Sequence, residues 1–243
     1  MNASLPMYDW PECRLQTDGF WQQIRKAALS IDPDIPLPQA LMRAEGGVPS
    51  SLWNHADMVF TQTCWGPLSL GLVPDAYILA QADYSAFEGG RDQFYRSALV
   101  ARIGDRAQVP DHKGATELAS LISARRFAYN GRESLSGLLS VCDDLKMPPE
   151  RLTEGGLRTG SHRGSVQAVA SGGADIAAID CRSWELAKRY EPEAASLVVV
   201  GWTSERVGLP YITRRDLDEH FRQVLSDALS RLGCFPPARS GNM

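Results

Sequence analysis

Strand-length apolar runs and helix-patterned runs alternate along nearly the whole chain, with glycine or proline at most of the changes. SLPMY (4–8), DMVFTQT (57–63), YILAQADY (77–84), YRSALVARI (95–103), RRFAY (125–129), DIAAI (175–179) and SLVVVG (196–201) read as strands. Thr17–Leu29, Thr116–Ile122, the segment entered through Asn130–Gly137, 162–171, Cys181–Tyr190 and Arg214–Leu232 carry apolar residues near helical spacing. In the last of these, Leu217, Phe221, Val224, Leu225, Ala228 and Leu232 fall on one stripe. Interleaving of this kind predicts an α/β architecture, its sheets largely parallel and flanked by helices. Ligands of such sheets sit beyond the carboxyl ends of the strands. Thr17 or Asp18 is expected to cap the first long helix and Thr116 a later one. The 146–160 stretch reads as looser.

Two helix starts stand out. Arg132-Glu133-Ser134-Leu135-Ser136-Gly137 and Gly160-Ser161-His162-Arg163-Gly164-Ser165 both put small residues and hydroxyls where a helix begins. A helix N-terminus carries unpaired N–H groups and the positive end of the macrodipole, so small residues there let an anion approach the backbone. Capping accounts for Ser134 and for Ser161 taken singly. Two such starts in one section of chain suit an anion cradle, to which Ser136 adds a hydroxyl and His162 an imidazole donor.

Asp180 closes the run IAAID. It can cap the helix CRSWELAKRY, or face a ligand hydroxyl or cation from the strand end; both readings stand. Tyr8, at the end of the first expected strand, and Trp65, in the Cys-Trp-Gly-Pro loop, are candidate rim aromatics. Trp53, Tyr129 and Trp184 read as core.

With 44% apolar and 22% charged residues, 243 residues suffice for one large domain or two modest lobes. A formal net charge of -4 argues against nucleic acid as a partner. Any anion site must therefore be local. Five dispersed cysteines read as thiols with no metal spacing, and no metal or cofactor is expected. No apolar run is long enough to insert in a membrane. The N-terminus MNASLPMYDWPE shows neither the basic nor the apolar region of a signal peptide, which leaves cytosolic and exported readings both open.

With these residues in view, the chain resembles the phosphate/phosphite/phosphonate-binding proteins of ABC transporters, a branch of the type 2 periplasmic-binding-protein fold. The stretches carrying the resemblance are SLPMYDWPE, VFTQTCWGP, RRFAYNGRESLSG, TGSHRGSVQAVASGGADIAAID and GWTSERVGLPYITRRDL. The resemblance implies two lobes, each a mostly parallel sheet flanked by helices and joined by two hinge segments: 1–92 with 203–243, and 93–202. It implies a non-catalytic protein that traps a small phosphorus oxyanion or organophosphonate between its lobes. Ser134, Ser136 and His162, with Ser161, would hold the oxyanion. Tyr8 and Trp65 would line the opposite side, and Asp180 would meet the non-phosphorus end of an aminoalkyl ligand. An ABC permease is the implied partner and the periplasm the implied location. Trp65 stands where the family's phosphonate binders tend to carry tyrosine, which removes a hydroxyl from the site.

Two other classes share the fold. One is a cytosolic or sensor-linked module docking on a membrane receptor. The other is an enzyme of the thiamin-pyrimidine-synthase type, whose Cys- and His-rich signature this chain lacks. His55, His112, His162 and His220 lie far apart, and no G-x-S-x-G elbow, H-E-x-x-H or P-loop occurs.

Overall fold

The structure, a computed structural model, describes residues 1–43, 50–108, 115–122 and 125–238. In chain order the first elements are β1 (Asn2–Ala3), α1 (Arg14–Leu29), α2 (Ser50–Trp53), β2 (Met58–Gln62), α3 (Trp65–Ser69) and β3 (Ala76–Gln81). There follow β4 (Gly90–Arg91), β5 (Phe94–Tyr95), β6 (Ser97–Arg102), α4 (Ala115–Ile122), β7 (Phe127–Tyr129), a π-helical turn (Leu135–Leu139), α5 (Ser140–Leu145) and α6 (Glu150–Thr153). The remainder is β8 (Leu157–Arg158), α7 (His162–Ala170), β9 (Ile176–Asp180), α8 (Cys181–Tyr190), β10 (Leu197–Trp202), β11 (Arg206–Val207), β12 (Pro210–Arg214) and α9 (Glu219–Arg231).

The chain divides into two compact units, Met1–Asp83 with Val207–Met243, and Tyr84–Arg206. The sequence places these breaks at 92/93 and 202/203. Local bonds explain the difference. Tyr84 donates its N–H to the Asp92 carbonyl at 2.7 Å and packs its ring on Tyr95 at 5.5 Å, which binds 84–92 to the second unit. At the other crossing Asp144 accepts from the Ser204 N–H (2.7 Å) and from Arg206 Nη2 (2.6 Å).

In the first unit the sheet order is β1-β2-β12-β3. β1 and β2 are parallel, but β12 runs antiparallel to both β2 and β3. The returning segment thus lies between the unit's own strands, reversing direction within an otherwise parallel pattern. α1 packs against α9. Trp21, Ile24 and Ala28 of α1 are buried with Phe221, Val224, Leu225, Ala228 and Leu229 of α9. Trp21 stacks on Phe60 at 5.3 Å, and Phe60 on Tyr211 at 5.7 Å.

Several expectations for this unit are corrected. The opening strand is Asn2–Ala3, not Ser4–Tyr8: Pro6 cannot donate to a ladder, and Tyr8 sits in the turn beyond it. α1 begins at Arg14, ahead of Thr17 and Asp18, so neither caps it. Asp18 instead pairs with Arg43 at 2.9 Å. Trp65 opens the short helix α3 and is not in a loop. The closing helix starts after the Asp218 cap, whose Oδ1 accepts the His220 N–H at 2.8 Å. Arg214, read as the first residue of that helix, instead ends strand β12.

In the second unit the sheet order is β10-β6-β9-β7-β8. β7 is parallel to both β8 and β9, while β6 is antiparallel to both β9 and β10. Both main sheets are therefore mixed, where the sequence suggested mostly parallel ones. Leu99, Leu121, Phe127, Leu138, Val141 and Ile176 build the core on one face. The 146–160 stretch is more ordered than expected, holding α6 and β8. The side chain of Thr116, expected as a cap, lies outside the described residues; its backbone stands inside α4. Among the described residues no helix is long and apolar enough to cross a membrane.

Candidate functional site

The parallel strands β9, β7 and β8 are neighbours, so their carboxyl ends share one edge of the second unit's sheet. Each hands the chain to a helix start there. β7 leads through Asn130–Ser134 into the π turn, β8 through Thr159–Ser161 into α7, and β9 passes at Asp180 into α8. Topology alone therefore brings Ser134, Ser136, Ser161, His162 and Asp180 to one edge.

Ser134 Oγ accepts the Gly137 N–H at 3.1 Å and Ser161 Oγ accepts the Gly164 N–H at 2.9 Å, so both serines cap. A hydroxyl that accepts keeps its own proton to donate. Capping and ligand contact are therefore compatible at both positions. Ser134 is buried and Ser161 exposed. The turn after Ser134 is wound as a π-helix, with the Leu139 N–H on the Ser134 carbonyl at 3.0 Å. Such turns recur at functional sites. A Cβ on Gly137 would run into the side chain of Asn130, so the turn packs tightly around this glycine. Gly160 has φ +81°, a left-handed conformation that suits glycine.

Thr159, which sequence reasoning passed over, bolts the second helix start down. Its N–H donates to the Tyr129 carbonyl at 2.9 Å, and its Oγ1 lies 2.6 Å from Ser165 Oγ. Arg163 forms an ion pair with the buried Glu191, which also accepts from Gln167 Nε2 at 2.7 Å. The guanidinium is thus committed to holding α7.

At the centre the two tips touch. His162 Nε2 lies 2.8 Å from Ser136 Oγ and 3.2 Å from Asp180 Oδ2. Asp180 Oδ1 meanwhile accepts the Ser183 N–H at 3.0 Å, so the carboxylate caps α8 and faces His162 at once. Burial lowers the His162 pKa from its ordinary 6.5, while Asp180 and the Ala178 backbone act in the opposite sense. This is not a hydrolase triad. In a triad the acid and the nucleophile engage opposite ring nitrogens. Here both engage Nε2. The nearby Cys181 thiol is pushed up to about 12 by burial first and Asp180 second, so it is no nucleophile near neutrality. Among the described residues no group of histidine, cysteine or acidic side chains forms a metal site.

Tyr8 and Trp65 belong to the first unit. Tyr8 is buried, and the Trp65 indole N–H donates to the Gly208 carbonyl at 2.8 Å, which leaves the ring faces as its remaining surface.

The chain is similar to PhnD1 from Prochlorococcus marinus, solved with methylphosphonate, with 17% identity, TM-score 0.66, and 94% of this chain and 82% of that one covered. It is similar to the binding-protein component of a phosphonate ABC transporter from Pseudomonas aeruginosa, with 17% identity, TM-score 0.63, and 97% and 80% covered. A histidine kinase sensor domain with similarity to periplasmic binding proteins matches at 14% identity and TM-score 0.52, with 88% and 86% covered. These likenesses give the chain the type 2 periplasmic-binding-protein fold. The family model for the periplasmic substrate-binding protein of phosphonate ABC transporters matches residues 69–235, and the chain belongs to that family. Among curated proteins nothing matches.

Proposed function

We propose that this protein captures a small phosphonate or related phosphorus oxyanion and presents it to an ABC permease in the periplasm. The observation that carries the reading is the meeting of two Ser/Gly helix starts at Ser136 and His162, 2.8 Å apart. Desolvating an oxyanion is costly unless its oxygens find donors, and helix-start amides with hydroxyl protons supply them. Bonds to the charged ligand are roughly twice as strong as neutral ones. Ser134, Ser136, Ser161 and His162 are the oxyanion contacts of this proposal. Tyr8 and Trp65 are kept as further ligand contacts of this proposal, Trp65 through its ring faces because its N–H is committed to Gly208. Asp180 has one oxygen on Ser183 and the other facing His162, which favours a role in orienting the imidazole over one in reading a ligand amine. The shared use of Nε2 favours binding over nucleophilic catalysis.

Isothermal titration with methylphosphonate, aminoethylphosphonate, phosphite, phosphate and sulfate tests the proposal. At least one phosphorus ligand is expected to bind, and at a hundred times its Kd to add about 2.7 kcal/mol of stability. No heat and no thermal shift with any of them at millimolar concentration would overturn it.

A further inference from the structure

Ser97 opens β6, the strand that runs antiparallel to β9. Antiparallel pairing brings the first residue of one strand to the last of the other, and the register sets Ser97 directly across from Asp180. Cross-strand partners share a face, with Cβ atoms about 4.5–5.5 Å apart. The next same-face pair inward is Leu99 with Ala178, and both pack in the cluster that includes Leu138 of the π turn. Ser97 and Asp180 therefore end the sheet face that the π turn covers. That is the edge where Ser136, His162 and Asp180 meet.

The Ser97 side chain is wholly buried, at 0% exposure, yet its Oγ has no hydrogen-bond partner. The Ser97 main chain is satisfied on its own account. Its N–H donates to Thr203 Oγ1 at 2.9 Å, and its carbonyl accepts the Thr203 N–H at 3.0 Å. A buried hydroxyl without a partner costs free energy that alanine at the same place would not.

We infer that Ser97 is a further hydroxyl of the oxyanion site, donating its proton to an oxygen of the bound phosphonate group. The inference rests on the phosphorus-oxyanion reading given above and extends it to a strand outside the two Ser/Gly helix starts. It also makes a distinction that a packing role does not. A serine kept for the fold would lower stability when truncated and leave affinity alone. A serine kept for the ligand does the reverse.

The test compares wild type with Ser97→Ala, using methylphosphonate and ethylphosphonate in titration calorimetry and thermal unfolding without ligand. Removing one hydrogen bond to a charged group should weaken both ligands by about tenfold or more. The unliganded melting temperature should stay the same or rise. Equal affinity of Ser97→Ala and wild type would overturn the inference while leaving the phosphonate reading intact. So would a loss confined to one of the two ligands, because the head group is common to both. Failure of the wild type to bind any phosphorus ligand would remove the reading itself and the inference with it. Ser97→Thr, which keeps the hydroxyl, should recover affinity relative to the alanine variant if it folds with the wild-type melting temperature.

Discussion

Replacing Asp180 by alanine removes two things at once. The Ser183 N–H, at 3.0 Å from Oδ1, loses its acceptor at the start of α8, and Ser183 is itself buried. His162 Nε2 loses the carboxylate at 3.2 Å but keeps Ser136 Oγ at 2.8 Å. Loss of a cap costs about 1 kcal/mol. The Asp180→Ala variant should therefore be less stable by about 1–2 kcal/mol, or roughly 2 to 8 °C in melting temperature for a chain of this size. Asp180→Asn supplies the control, because asparagine caps as well as aspartate and keeps an oxygen for Ser183; it should lose no more than about 1 kcal/mol. Urea denaturation followed by far-UV circular dichroism measures both, with the urea slope expected to match wild type. If the alanine variant unfolds within about half a kcal/mol of wild type, or the two variants fall together, the reasoning fails.

Acidification gives another test. Unfolded His162 takes up its proton near the ordinary 6.5, and the folded ring at lower pH because burial opposes its charge. Below that value the unfolded state holds more protons. The His162 contribution is thus fully present above about pH 6.5 and is lost as pH falls toward the folded pKa, at up to about 1.4 kcal/mol per pH unit. A pH series of urea midpoints should show this slope in wild type and a smaller one in His162→Gln. Gly137→Ala places a methyl against Asn130, with Asn130 Cγ at 2.8 Å and Ser134 Oγ at 3.1 Å, and should cost about 1–3 kcal/mol while weakening phosphonate binding. Wild-type stability for that variant, by thermal unfolding, would contradict the packing described.

Local signals in the sequence located much of the second unit. The α7 and α8 starts, the IAAID strand and the Asp180 cap were legible because caps, glycine breaks and helical spacing are properties of neighbouring residues. What was not legible depends on residues far apart. The direction of β12 and β6, and so the mixed character of both sheets, follows from where the chain re-enters, not from apolar runs such as PYITR. The π turn leaves no distinct spacing in SLSGLLSV. Ser136 and His162 could be proposed singly, but their 2.8 Å contact depends on the order β9-β7-β8. Ser97 lies opposite Asp180 only by register, which residues 83 positions apart cannot announce. At the N-terminus Ser4–Tyr8 misled because apolar residues around Pro6 mimic a strand.

The most direct test is a crystal structure of the protein grown with methylphosphonate. Oxygens of the phosphonate group are expected within about 2.5–3.2 Å of the Ser134 and Ser136 hydroxyls and of His162, at the carboxyl edge of β7, β8 and β9. A ligand bound elsewhere, with the Ser136–His162–Asp180 cluster untouched, would contradict the assignment of these helix starts to oxyanion capture.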